Sequence, residues 1–218
     1  MKKLTILILA ICFLSCKSSL SQRKANPEAV KLNNQALDLV MHSGGQENDQ
    51  IFEKAVALLN QAIKIDSNYS TAYLNKFTDQ NKLKKYGDAI VTGKRLIALK
   101  PNDVNIKLMV GEDFEKLGDT IASVKYYNDA LSGYNKILDT MNVNNKAYSS
   151  FLSSTAIDLI LLNRQKEGYA ILKTMAEKET DPYLKQMYEQ YLKMSRNDWL
   201  FWNIKKNIAY SNPVKKTQ

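Results

Sequence analysis

The feature that most constrains this chain is a repeat. Ala55, Ala89 and Ser123 recur at one fixed interval, and the same interval separates Val56, Ile90 and Val124, then Ala62, Leu96 and Ala130, then Ile63, Ile97 and Leu131. A fixed period of this length is the signature of a repeated supersecondary unit, each copy leaving an apolar face for the next to cover. Within each unit the small residue is followed seven positions later by another small or apolar one, so both fall on one face of a helix. Apolar residues in the body of the chain recur at three and four rather than at two, which predicts helices and no strand. Asn26-Pro27-Glu28 reads as a helix start, with Asn as N-cap, Pro in the first turn and a carboxylate near the positive end of the dipole; Asp181-Pro182 repeats the signature.

These columns resemble the tetratricopeptide repeat (TPR), a pair of antiparallel helices that shares their period. The third unit carries the likeness best. Gly111 and Phe114 stand at the small and aromatic positions of its first helix, Ser123, Tyr127 and Ala130 at the small, large and small positions of its second, and Pro101 matches a terminating proline. The resemblance implies an all-α, right-handed superhelix of about four TPR-like helix pairs plus a C-terminal capping helix, expected over residues 27–198. In the second unit Phe77 takes the normally small place and Gly93 the normally large one, which reads as a volume-conserving swap with the Phe77 ring over Gly93. The stretch from Ala36 to Ala55 in the first unit is seven positions longer than that from Phe77 to Ala89 in the second, so an insertion is expected at 42–48. Eleven residues are added near 134–144, and most of them still read as helix, which extends the second helix of unit three by about two turns. Tyr183, Leu184, Met187, Tyr188, Tyr191 and Leu192 then form the face of the cap. Trp199, Phe201 and Trp202 either finish that cap or form a second, exposed anchor for a partner.

The N-terminus has the charged, apolar, small-residue order of a secretory signal: Met1-Lys2-Lys3, an apolar run over 4–14, then Ser15-Cys16. As a helix that run rises only about 16 Å, against roughly 30 Å of hydrocarbon, too little to span a bilayer stably. Phe13-Leu14-Ser15-Cys16 resembles the lipobox of bacterial lipoproteins, which implies cleavage before Cys16, lipid attachment to it (palmitate among the acyl groups), and a polar tether over 16–26. The alternative is an ordinary cleaved signal with an incidental cysteine. The expected location is the outer membrane, facing the periplasm.

The net charge of +9 suggests nucleic acid, but its distribution argues otherwise. All 22 acidic residues lie between Pro27 and Asp198, where 22 basic residues balance them, so the excess sits at the two ends. The C-terminal 199–218 is an aromatic then basic tail, carrying Lys205, Lys206, Lys215 and Lys216.

The inventory for chemistry is thin. His42 is the single histidine, beside a Gly-Gly turn, and no set of zinc ligands accompanies it. Carboxylates cluster at Glu112, Asp113 and Glu115, and again at Glu177, Glu179 and Asp181, interleaved with lysines as on a solvated helix face. No phosphate loop is present. The reading is therefore a non-enzyme without cofactor or metal. The TPR resemblance implies a concave groove lined by first helices, here Thr71, Leu74, Asn75, Thr78, Asn81 and Lys82 in unit two and Asn105, Leu108, Glu112, Glu115 and Lys116 in unit three. Thr78 and Glu112 depart from the Lys/Asn clamp that one TPR subfamily uses for a C-terminal carboxylate. The expected function is a lipid-anchored scaffold or assembly module of the envelope that binds a protein partner's peptide or helix in this groove. The alternative is a helical envelope protein that binds, or less readily cleaves, peptidoglycan or polysaccharide.

Overall fold

The computed structural model describes residues 23–42 and 48–201. Among them are ten α-helices: α1 (Pro27–Met41), α2 (Asp49–Ile65), α3 (Ser70–Lys82), α4 (Tyr86–Leu99), α5 (Val104–Lys116), α6 (Thr120–Thr140), α7 (Tyr148–Leu161), α8 (Gln165–Lys178), α9 (Pro182–Tyr191) and α10 (Arg196–Phe201). Each from α2 to α9 packs against its predecessor, so α1 to α8 form four antiparallel pairs in a right-handed superhelix that α9 and α10 cap. Of the insertion expected at 42–48, His42 caps the end of α1 and Asn48 the start of α2, and residues 43–47 lie outside the described residues.

Local sequence sets the helix boundaries. The Asn26 side chain accepts from the Glu28 amide at 2.9 Å, with Pro27 in the first turn, and Asp181 accepts from the Tyr183 and Leu184 amides at 2.9 and 3.0 Å. The first helices of units two, three and four share one ending. Lys84 (φ 56°), Gly118 (φ 84°) and Asn163 (φ 62°) are left-handed, and the following amides of Lys85, Asp119 and Arg164 reach back to Gln80, Phe114 and Leu159 at 2.9, 2.9 and 2.8 Å. With the amides of Lys84, Gly118 and Asn163 donating to Asn81, Glu115 and Ile160 at 3.0, 2.8 and 3.1 Å, this double closure satisfies carbonyls that the helix end would otherwise strand.

Small residues let the paired helices touch. The buried columns Ala55, Ala89, Ser123 and Ala62, Leu96, Ala130 are no more than 2% exposed. A Cβ on Gly93 would overlap Val110 Cγ2 and lie 2.8 Å from the Phe77 ring, so the exchanged large and small residues do face each other. One on Gly111 would lie 2.7 Å from the Tyr127 ring, and one on Gly168 2.5 Å from the Ala156 carbonyl oxygen. The Val56 column is less regular: Val124, one residue round the helix from Ser123, is 45% exposed at the edge of the buried stripe. Helix α6 runs to Thr140, and its added turns carry Ile137 to the core beside Tyr134, whose ring lies 6.3 Å from that of Phe151.

The core falls into three clusters: one around Ala36, Leu59 and Ala72, a second around Phe77, Leu96 and Val110, and a third running from Val104 to Leu200. At the N-terminal edge, buried Asp66 accepts from Arg23 Nη1 at 2.8 Å and from the amides of Asn26 and Asn68 at 3.0 and 3.1 Å. These donors hold its carboxyl below the usual range, the Arg23 hydrogen bond most. At the other end Trp199 is 1% and Leu200 5% exposed, so the segment expected to open a tail at 199 begins inside a helix of the cap.

Two substitutions test these constraints. Gly93→Ala gains up to about 1 kcal/mol of helix propensity, yet should show a net loss of roughly 1–3 kcal/mol in urea unfolding from the clash with Phe77 and Val110. Lys84→Gly should stabilise by up to about 1 kcal/mol by relieving the left-handed Cβ strain.

Candidate functional site

First helices α3 and α5 present the expected groove residues in three different ways. Thr71, Leu74, Thr78, Lys82 and Asn105 reach the surface. Leu74 is 37% exposed, and the Thr78 hydroxyl donates to its own helix at the Leu74 carbonyl, 3.0 Å away. Asn75 and Asn81 are half-buried ties between successive first helices: Asn75 Nδ2 donates to Asn33 of α1 at 2.8 Å, and Asn81 Nδ2 to Asp113 of α5 at 2.9 Å. Leu108 corrects the expectation of an exposed inner face, being 7% exposed and part of the third core cluster. Both helices are packed by the preceding and following ones, but α5 buries Val104, Ile106, Leu108 and Val110 where α3 buries Ala72 and Phe77 as its apolar residues, which leaves α5 a narrower free stripe.

Glu112, Glu115 and Lys116 are also partly buried, and each is engaged. Lys116 Nζ lies 3.8 Å from Glu112, 3.5 Å from Asp113 and 5.2 Å above the Tyr86 ring. Glu115 accepts from the Tyr127 hydroxyl at 2.8 Å and pairs with Arg196 Nη1 at 2.6 Å. Arg196 also donates through Nη2 and Nε to the Leu161 carbonyl, at 2.6 and 3.2 Å, so one guanidinium ties the cap to α7 and α5 together. Asn105 accepts from the Tyr134 hydroxyl at 2.8 Å.

The groove residues expected from sequence omit a column of aspartates. Asp38, Asp79, Asp113 and Asp158 each stand two residues after the small position of their first helix, at Ala36, Phe77, Gly111 and Ala156. Asp38 is exposed, whereas the other three are 7%, 1% and 0% exposed. Asp113 has Asn81 and Lys116 as partners, but neither oxygen of Asp158 has a hydrogen-bond partner. Burial is costly for a lone carboxylate and drives it towards the neutral acid. It pushes Asp158 up to about 8, with Glu112 adding repulsion. It also raises Glu112 to about 7, opposed by Lys116 and assisted by Asp113 and Glu115. Asp79 rises to about 6 through burial. The aspartate column was visible in the sequence as a repeat position, two residues past the small one. Arg196 had no comparable signal, because its partner Glu115 stands more than two units earlier in the chain.

At the C-terminus the structure favours the cap over the anchor for Trp199, whose ring meets Tyr191 edge-on at 4.9 Å. Phe201 is 50% exposed, while Trp202 and Cys16 lie outside the described residues. His42 ends α1, with Nδ1 2.8 Å from the Asp38 carbonyl oxygen. Among the described residues no group of three His, Cys, Asp or Glu could hold a metal ion, and no helix is long and apolar enough to cross a membrane.

The fold is similar to that of TTC0263, a thermophilic TPR protein in Thermus thermophilus, at 21% identity and a TM-score of 0.52 over 82% of this chain and 89% of that one. YrrB, a TPR protein with an unusual peptide-binding site, aligns at 16% identity and a TM-score of 0.46 over 82% of this chain and 84% of its own. MamA aligns at 16% identity and a TM-score of 0.48 over 71% and 80%. No protein-family model and no curated protein matches the chain.

The raised carboxyls fix the sign of a pH effect. Between the unfolded carboxyl range near pH 4 and the folded values of Asp158, Glu112 and Asp79, the native state holds more protons than the unfolded one, so stability falls as pH rises. Calorimetry should find the thermal midpoint lower at pH 8.5 than at pH 5.5, by on the order of 5 °C, and Asp158→Asn should remove much of that difference.

Proposed function

We infer that this protein is a lipid-anchored interaction module of the bacterial envelope, which holds a peptide or helix of a protein partner against the inner face of its first helices. The observation that carries the reading is the register of that face. Thr71, Leu74, Thr78 and Lys82 on α3 and Asn105 on α5 stay exposed along neighbouring helices, while Asn75 and Asn81 fix the helix spacing beneath them. A rigid, mixed polar and apolar surface of this kind suits an extended or helical segment with one or two apolar anchors. It offers binding rather than chemistry. The anchoring half of the proposal rests on Phe13-Leu14-Ser15-Cys16, and the envelope location on the signal-like residues before it.

Photo-crosslinkers placed in native envelopes at Thr78 and Lys82 should capture one discrete partner, whereas one at Val91, 70% exposed on α4, should not. Equal labelling from α4, or none from α3, sinks the inner-face reading. Cys16→Ala should abolish palmitate incorporation and move the protein from the membrane to the soluble fraction. A wild-type protein that takes up no palmitate, or a Cys16→Ala variant that keeps the label, would remove the Cys16 lipid anchor from the proposal.

A further inference from the structure

The inner face changes character between α3 and α7. On α5 and α7, Glu112, Asp113, Glu115 and Asp158 set four carboxylates against two cations, Lys116 and Arg196. The two cations serve three of the acids: Lys116 lies between Glu112 and Asp113, and Arg196 is committed to Glu115. Asp158 is left with both oxygens unpartnered and no exposure, within repulsive reach of Glu112. Buried charge is normally paired, so a cluster with this deficit is complementary to a cation that the described residues do not supply. The cluster is not sealed, since the Glu112 side chain keeps 22% of its exposure and the Glu115 side chain 12%. Arg196 shows that this part of the molecule accepts a guanidinium at 2.6 Å on a carboxylate.

We propose that the acidic cluster on α5 and α7 is the seat for a basic side chain, lysine or arginine, carried by the partner's peptide, with Glu112 as its first contact and Asp158 as the carboxylate behind it. The proposal rests on the inner-face reading above and specifies the partner's chemistry. Without the partner, protons take the place of the missing cation, and burial together with mutual repulsion holds both acids partly neutral near pH 7. An arriving ammonium or guanidinium favours the ionised carboxylates, whose protons pass to solvent, so binding releases protons and strengthens as pH rises. Glu112 is faced by Asp113, Glu115 and Lys116 on α5 and by Tyr127 and Tyr134 on α6, and Asp158 by Glu112 and Tyr134, while Arg196 on α10 reaches the cluster through Glu115. Burial and the neighbouring carboxylates raise both tyrosines above their usual range, so they stay neutral through the pH window concerned.

The test is titration of the full chain with a fluorescein-labelled peptide of alternating Lys and Ala, beside an uncharged Gln and Ala version, at pH 6 and pH 8. Calorimetry in buffers of different ionisation enthalpy counts the protons. The lysine peptide should bind roughly tenfold tighter at pH 8, with proton release, and Asp158→Asn and Glu112→Gln should each weaken it and flatten its pH dependence. Asp158→Asn removes an unpartnered acid and should keep wild-type helicity, with a thermal midpoint at pH 8 no lower than that of the wild type, so lost binding cannot be attributed to unfolding. Binding that ignores both variants, binding without proton release, or no binding overturns the proposal. Replacing Lys205, Lys206, Lys215 and Lys216 by Gln identifies the chain's own tail as occupant if the peptide binds only that variant, which also overturns it. If the peptide fails while the Thr78 crosslink survives in Asp158→Asn, only the basic-residue proposal falls; loss of the wild-type crosslink is what removes the inner-face reading.

Discussion

The structure depends on one kind of contact, the close approach of two helices where a small residue on one meets a large residue on the other. Gly111 lies under the Tyr127 ring, Gly93 under Phe77, and Gly168 against the Ile160 side chain beside the Ala156 carbonyl, where even a methyl group would collide. Dispersion falls steeply with separation, so these points set how closely each pair can pack, and the pairs set the spacing of the first helices. The amide ties from Asn75 to Asn33 and from Asn81 to Asp113 are consequences of that spacing, because their 2.8 and 2.9 Å bonds require it. The exchange of Phe77 and Gly93 keeps the summed volume, which is why unit two retains the geometry of its neighbours despite reversing their pattern.

Along the same inner side the polar chemistry is graded. Between α1 and α3, and between α3 and α5, the buried polar groups meet as neutral amides or as an amide and an acid. Between α5 and α7 the neighbours are acids, and the one guanidinium present comes from the cap. A repeat architecture permits this because each interface is solved locally, and one junction can carry an electrostatic burden without disturbing those before it.

The fold was legible because packing in a repeat is periodic in sequence. The columns at Ala55 and Ala62 and the caps at Asn26 and Asp181 place most of the helices, and the long α6 followed from the added residues near 134. The site was less legible, for reasons that differ by residue. Leu108 looked exposed because helical phase alone does not reveal that the third core cluster, which includes residues of α6 and α7, takes in this position, whereas Leu74 at the same place one unit earlier stays exposed. Asn75 and Asn81 resembled surface amides, since a tie and a solvated side chain share a composition. Glu115 and Arg196 meet from helices more than two units apart in the chain, a separation over which no local pattern operates. Asp158 could have been found by extending the period to polar positions.

The division of the core into three clusters bears on how the molecule comes apart. In a linear array each unit is held by its neighbours, so ends fray and interior units share their fate. Here the third cluster joins α5 through α10, and the Arg196 bridge closes it into a loop, while α1 and α2 are held largely through each other, α3 and the Asp66 anchor. The C-terminal half is therefore built as one cooperative block and the N-terminal pair as a weaker appendage. Under a pull transmitted through the N-terminal residues, that appendage would yield first and leave the acidic junction of α5 and α7 assembled.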